Sequence, residues 1–127
     1  MQPTNYWGEL SLPTERIPTP LTLLREQAEA LTTTTRGVLT GEIVSHNFAD
    51  GLGGTLRIVA PLLGGYSLAI VAVRYSIYGY PALVTDLMKS EQFTVETEVD
   101  YRSALKSILS SKDVHDAIAA LLAQSNG

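Results

Sequence analysis

Cysteine and charge are the two things this chain of 127 residues lacks most clearly. The absence of cysteine excludes disulfide bonds, thiolate metal sites and cysteine nucleophiles. Charged residues make up only 17% of the chain, and nine Lys and Arg against 13 Asp and Glu give a net charge of −4. Because contacts to phosphate supply most of the affinity for nucleic acids, we expect no DNA or RNA partner.

Long apolar runs are also missing. The roughly 18 consecutive apolar residues of a membrane span are not reached, because Arg57, Arg74 and several glycines interrupt the longest candidates. The stretch Met1–Glu9 does not have the basic start and apolar run of a signal peptide. We therefore expect a cytoplasmic protein with no membrane partner.

Hydrophobic residues form 45% of the chain, enough for one core in a chain of about one domain's length. Residues 1–18 hold three prolines and no apolar period, which predicts an extended N-terminal arm followed by a single domain over residues 19–127. The apolar residues of this arm are Tyr6, Trp7, Leu10, Leu12 and Ile17. They can pack on their own domain or on a neighbouring molecule, and the sequence leaves both open.

The sequence pattern of residues 19–127 predicts an α+β fold. Thr19-Pro20 is a typical helix start, and the helix should end before Gly37. Two short helices close the chain, one capped by Asp100 and one by Ser110 or Ser111. Between them, turn signals separate strands at Val38–Ser45, Thr55–Leu63, Tyr66–Tyr78 and Ala82–Leu87, with Phe93–Val99 as a fifth strand or an extended lead into the next helix. We expect an N-terminal arm and helix, a four- or five-stranded antiparallel meander, and two C-terminal helices packed on one sheet face.

Gly64-Gly65 reads as a two-residue hairpin turn, which would place Leu63 opposite Tyr66 and fix the faces of both strands. One face is then free of charge and should be covered by the helices. The second face is mostly apolar as well, and includes Val59, Leu68 and Ile70. A sheet with one solvated face alternates apolar with polar residues, so we expect this second face to be covered too. The three helices and the arm can cover both faces of a small sheet, and another copy of the chain is the alternative that we favour. Candidate interface residues are Val59, Leu68, Ile70 and, on the arm, Trp7.

Two arginines, Arg57 and Arg74, come out as diagonal neighbours on this second face, among the aromatic residues Tyr66 and Tyr78. Guanidinium groups stack on tyrosine and bind carboxylates and phosphates, so these four residues with Glu42 are a candidate anion site. The simpler interpretation is that both arginines form ion pairs with Glu42 of the first strand.

Catalytic and metal motifs are incomplete. Gly51–Gly54 is not followed by a helix and reads as a flexible turn rather than a phosphate loop. His46 and His115 have no ligand spacing, so we expect no metal and no cofactor. Ser67 only approximates a hydrolase nucleophile motif. Glu96 and Glu98 would point to the same side of an extended segment, which is typical of the charged residues on a solvated sheet edge.

Four short segments resemble a group of small bacterial proteins described only as hypothetical. These are Pro18-Thr-Pro-Leu, Leu24-Arg-Glu-Gln-Ala, the Tyr80-Pro81 turn and the ending Leu121-Leu-Ala-Gln-Ser125. The resemblance implies a bacterial origin and a single domain, and it brings no fold, ligand or activity.

Three functional hypotheses follow from these residues. The first is a non-catalytic protein-interaction domain that self-associates through the second sheet face or the arm. The alternative is a protein that binds an anionic small molecule, a nucleotide or a carboxylate, between Arg57, Arg74, Tyr66 and Tyr78. The third is a hydrolase that uses Ser67 or the Glu96 and Glu98 pair.

Overall fold

The computed structural model describes residues 6–12 and 18–126, and it has the predicted α+β architecture. Residues 1–5 and 13–17 of the predicted arm, including Ile17, lie outside the described residues, as does Gly127. The three helices are α1 (Pro20–Thr34), α2 (Glu98–Leu109) and α3 (Lys112–Ser125). The strands are β1 (Thr40–Phe48), β2 (Gly51–Ala60), β3 (Tyr66–Ser76), β4 (Gly79–Asp86) and β5 (Glu91–Val95).

The five strands form one antiparallel meander in the order β1-β2-β3-β4-β5. All neighbouring pairs are antiparallel, so each connection is a hairpin. The chain between Phe93 and Val99 divides at Val95: its first part completes β5, and the rest leads into α2. The meander therefore has five strands rather than four.

Each helix begins at a side-chain cap. The hydroxyl of Thr19 accepts a hydrogen bond from the Thr22 amide (3.1 Å), with Pro20 in the first turn as predicted, and Ser111 caps α3 in the same way. The predicted cap of α2 is wrong. Thr97, not Asp100, accepts the bond, and the donor is the Asp100 amide (3.2 Å), so this helix starts earlier than expected.

All three helices pack on one face of the sheet. Helix α1 lies against β1 and β2, where an added side chain at Gly41 would overlap the backbone of Ala28. Helix α2 covers β4 and β5, and α3 contacts the turn that follows β2. The core between the layers includes the fully buried side chains of Tyr101, Leu24, Leu39, Ile70, Val71 and Val84.

The predicted turn at Gly51–Gly54 is wrong. These residues are the first four of β2, and the β1–β2 turn is the two-residue pair Ala49-Asp50. Glycine is needed in this part of the strand because a Cβ at Gly51 would overlap the Tyr75 carbonyl group, and one at Gly54 would meet Leu21.

The predicted register between β2 and β3 is also wrong. Pro61–Leu63 form a single 3-10 turn, and Ala60 rather than Leu63 marks the last paired residue, opposite Tyr66. Proline has no amide hydrogen for the ladder, so the strand ends before it and the loop has five residues. The strands also shift register between Leu56 and Arg57, which leaves Ile70 as an extra residue in β3.

The five-residue loop reverses which residues at the start of β3 face the helices, and the bulge restores the predicted faces for the rest of the strand. Leu68 and Ile70 therefore point toward the helices, and Ile70 is buried. Val71, next in the chain, is buried as well, because the bulge places consecutive residues on the same side. The prediction that Leu68 and Ile70 lie on the second face is wrong, and Ser67 and Ala69 take their places.

Candidate functional site

No helix of residues 18–126 packs on the sheet face opposite α1, α2 and α3, which is here called the open face. It consists of the even-numbered residues of β1 from Thr40 to Phe48 and the odd-numbered residues of β2 from Gly53 to Val59, with Ser67, Ala69, Ala72 and Arg74 of β3, Leu83 and Thr85 of β4, and Gln92 and Thr94 of β5. Threonine, alanine and valine dominate this face. It is less apolar than the sequence predicts, because the five-residue loop after β2 places Leu68 and Ile70 on the other side of the sheet.

One ion pair lies across β1 and β2. Glu42 and Arg57 are directly opposed in the register, and Arg57 Nη2 donates to Glu42 Oε2 over 2.9 Å. Cross-strand partners of opposite charge stabilise a sheet modestly. The expected pairing of Arg57 with Glu42 is confirmed.

Arg74 forms its ion pair with a different carboxylate. Its Nη2 donates to Oδ1 of Asp50 in the β1–β2 turn over 2.9 Å, and its guanidinium lies 4.0 Å from the centroid of the Phe48 ring. The hydrogen bond and charge of Arg74 lower the pKa of the Asp50 carboxyl below its usual range. The expected pairing of Arg74 with Glu42 is wrong, because Arg74 lies opposite Gly53 and Arg57 opposite Ala69.

These two arginines are not diagonal neighbours. Arg74 lies opposite Gly53, which is four residues from Arg57 along β2, so the two arginines are about 13 Å apart in the strand direction. Tyr66 lies at the helical side of the sheet, in a cleft with Leu121 of α3, and Tyr78 is exposed in the β3–β4 turn. The structure brings Arg57 and Glu42 together, and it does not bring Arg57, Arg74, Tyr66 and Tyr78 into one pocket.

The open face and the adjoining β1–β2 turn together carry no net charge, unlike the rest of the chain. The two arginines of the face are balanced by Glu42 on the face and by Asp50 in the turn. The three lysines of the chain, Lys89, Lys106 and Lys112, all lie outside the five strands. Interfaces between proteins are depleted in lysine and enriched in arginine, and the five strands share this preference.

Hydrogen bonds hold the polar side chains of this face in place. His46 Nε2 lies 3.2 Å from the hydroxyl of Thr55 on the neighbouring strand, and the Gln92 amide donates to the Thr85 hydroxyl over 3.4 Å. These two bonds link neighbouring strands on the open face, β1 with β2 and β4 with β5.

The described part of the arm does not bury its apolar side chains on its own domain. Residues 6–12 are in neither helix nor strand, and Tyr6 and Trp7 are 92% and 81% exposed. Leu10 and Leu12 are exposed as well.

The other candidate residues are spread over the fold. Ser67 is on the open face, His46 is in β1, and His115 is in the first turn of α3. Glu98 belongs to α2, where it accepts a hydrogen bond from Arg102 (3.0 Å), so the extended segment expected to hold Glu96 and Glu98 ends between them. Among the described residues, no group of three or more His, Asp or Glu side chains is placed to hold a metal ion.

Sequence reasoning missed a cleft on the helical side, where α1, α2 and α3 meet. It has a volume of about 430 Å³ and is lined by Leu23, Gln27, Arg102, Leu105, Lys106, Leu109, Ser110 and His115. The available signal was the four-residue spacing of Arg102 with Lys106 and of Leu105 with Leu109, which puts basic and apolar residues on adjacent stripes of one helix.

The open face and the cleft are the two candidate binding surfaces of this structure. No protein-family model matches this chain, and no curated protein and no solved structure was found to match it. None of the helices in residues 18–126 is long and apolar enough to cross a membrane. The open face and the cleft are therefore the features that bear on function.

Proposed function

We propose that this protein is a non-catalytic interaction domain that self-associates through its open face, two copies packing sheet against sheet. The observation that carries the proposal is the one-sided arrangement of the helices, which leaves a five-stranded sheet uncovered on the other face. Sheets that pack face to face lie about 10 Å apart and bury the side chains of both inner faces.

The size of the open face supports this. Its five strands have 5 to 11 residues each. With strands about 4.8 Å apart and a rise of about 3.3 Å per residue, the face covers roughly 500–600 Å². Two such faces together reach the ~1,000 Å² that a specific interface should bury.

The chemistry of the face supports the same conclusion. Its ion pairs are internal to each copy, so two copies meet without uncompensated charge. Thr55, Ala72 and Thr85 lie side by side across the three central strands, and such short side chains allow the backbones of two sheets to approach closely. Long, mobile lysine side chains are absent from the strands, and lysine is depleted in interfaces.

Association is tested with Ala72→Lys, because Ala72 lies at the centre of the open face. Light scattering and sedimentation equilibrium from about 10 μM to 1 mM should show reversible dimerisation of the natural chain. The variant should weaken dimerisation by about tenfold or more, since two lysines would meet across the interface.

The matched control is Ala119→Lys on α3, which adds the same charge at an exposed position on the helical side. It should dimerise as the natural chain does. A natural chain that stays monomeric at 1 mM, or equal effects of the two substitutions, would overturn the proposal. Thermal unfolding of both variants shows that the comparison is made between folded proteins.

A further inference from the structure

The N-terminal segment of residues 6–12, here called the arm segment, presents a compact set of apolar side chains to solvent. Tyr6, Leu10 and Leu12 are 92%, 64% and 80% exposed. Glu9 is the only charged residue in the segment. In an extended chain Leu10 and Leu12 project to one side and Glu9 to the other. The arm segment thus has one leucine side and one carboxylate side.

The cleft where the three helices meet has the complementary arrangement. Leu23, Leu105 and Leu109 give it apolar lining, with Leu23 and Leu105 almost fully buried. Its ionisable lining residues are Arg102, Lys106 and His115, all of them basic types in a chain of net charge −4. A volume of about 430 Å³ is within the range of sites that bind a ligand of a few side chains' size.

Lys106 is the basic group best placed to receive a carboxylate. Arg102 already bonds to Glu98 (3.0 Å), whereas Lys106 makes no ion pair with any residue in 6–12 or 18–126. Its side chain is exposed and long, and can extend along the apolar lining while the ammonium group stays at the rim.

We propose that the arm segment of one copy docks into the helical cleft of a second copy. Leu10 and Leu12 contact the cleft at Leu109, the lining leucine that is only partly buried, and the Glu9 carboxylate accepts a hydrogen bond from the Lys106 ammonium at the rim. The partner is a second copy because every copy carries both halves of the contact, an acidic arm segment and a cleft whose ionisable residues are all basic.

This contact goes beyond the proposed function because it uses a different surface. The cleft lies on the helical side of the sheet and the open face on the other, so both contacts can form in one assembly. The test is made in the Ala72→Lys background, so that failure of the open-face proposal leaves this measurement unaffected.

Trp7 provides the signal, because it is the only tryptophan of the chain and is 81% exposed. Docking of the arm segment should shift its emission to shorter wavelength as protein concentration rises from about 1 μM to 1 mM. Leu10→Ser should reduce this shift, and Leu62→Ser, which changes an exposed leucine in the 3-10 turn, should not. A shift that does not depend on concentration would overturn the proposal.

A charge exchange then separates docking between copies from docking within one chain. Glu9→Lys and Lys106→Glu should each weaken the concentration-dependent shift by about tenfold, because each places like charges together. An equimolar mixture of the two variants should restore it, since each arm segment then meets a cleft of opposite charge. Both positions are exposed, so the variants should unfold at the temperature of the parent. A mixture that behaves as the sum of its two components would reject the proposal.

Discussion

Tyr101 links helix α2 to helix α1 through a single hydroxyl group. Its side chain is fully buried in α2, and its hydroxyl donates to the carbonyl oxygen of Pro20, the first residue of α1, over 2.7 Å. Tyr80 packs beside it with ring centroids 6.0 Å apart. This bond fixes where α1 starts relative to α2, and so helps to shape the cleft between the helices.

Tyr101→Phe should lower the free energy of unfolding by about 1 kcal/mol at pH 8, the usual contribution of one buried hydrogen bond. Burial raises the pKa of Tyr101 far above its ordinary value, so the folded state keeps the proton that the unfolded state releases near pH 10. The stability associated with this group is therefore complete below pH ~10 and is lost as pH rises above it.

Urea unfolding at pH 8 and at about pH 11 measures both effects. The natural chain should be more stable than Tyr101→Phe at pH 8, and this difference should vanish or reverse at the higher pH, where about 1.4 kcal/mol is lost per pH unit. Tyr78→Phe is the control, because Tyr78 is exposed and its substitution should change little at pH 8. A constant difference between Tyr101→Phe and the natural chain at both pH values would contradict this account.

At the scale of elements, the sequence predicts the helices, the meander and the side on which most of the strands bury their residues. It does not predict the β2–β3 register, because the apolar run from Leu68 to Val73 has no polar residue to mark where its faces change. The bulge at Ile70 depends on how the 3-10 turn after β2 fits the two strands, which is a tertiary property. Arg57 and Glu42 are predictable as partners because their strands pair without a bulge.

The contact of α1 with β1 gives a prediction at this scale. Gly41 lies against the backbone of Ala28, and its amide donates to the Thr32 hydroxyl over 3.0 Å. A methyl group at Gly41 would overlap the Ala28 carbonyl oxygen, so α1 would have to move away from the sheet. Gly41→Ala should lower the free energy of unfolding by about 1–3 kcal/mol, as overpacking does.

Chemical denaturation of Gly41→Ala beside Thr40→Ala measures this loss. Thr40 is the preceding residue on the same strand and belongs to the open face, away from the helix. Its replacement should change stability by less than ~1 kcal/mol. Equal effects at both positions would mean that strand preference, and not the close approach of α1, makes glycine necessary at position 41.

At the scale of the whole molecule, charge is distributed unequally between the two sides of the sheet. The open face together with Asp50 of the adjoining turn is neutral, so the remaining side chains carry the net charge of −4. Two copies that meet at their open faces place these charges outward, where they still repel each other through water.

This arrangement predicts that salt strengthens the open-face contact. Repulsion between two charges of −4 at about 30 Å amounts to roughly 1 kcal/mol at 0.01 M salt and nearly vanishes at 0.15 M, because the screening length falls from about 30 Å to about 8 Å. Sedimentation equilibrium should therefore show dimerisation roughly two- to fourfold stronger at the higher salt concentration. The ion pairs Arg57–Glu42 and Arg74–Asp50 are internal to each copy, so screening them does not oppose this gain. Weaker dimerisation at higher salt would instead mean that these arginines reach carboxylates of the other copy, and that the contact is held by charge rather than by packing.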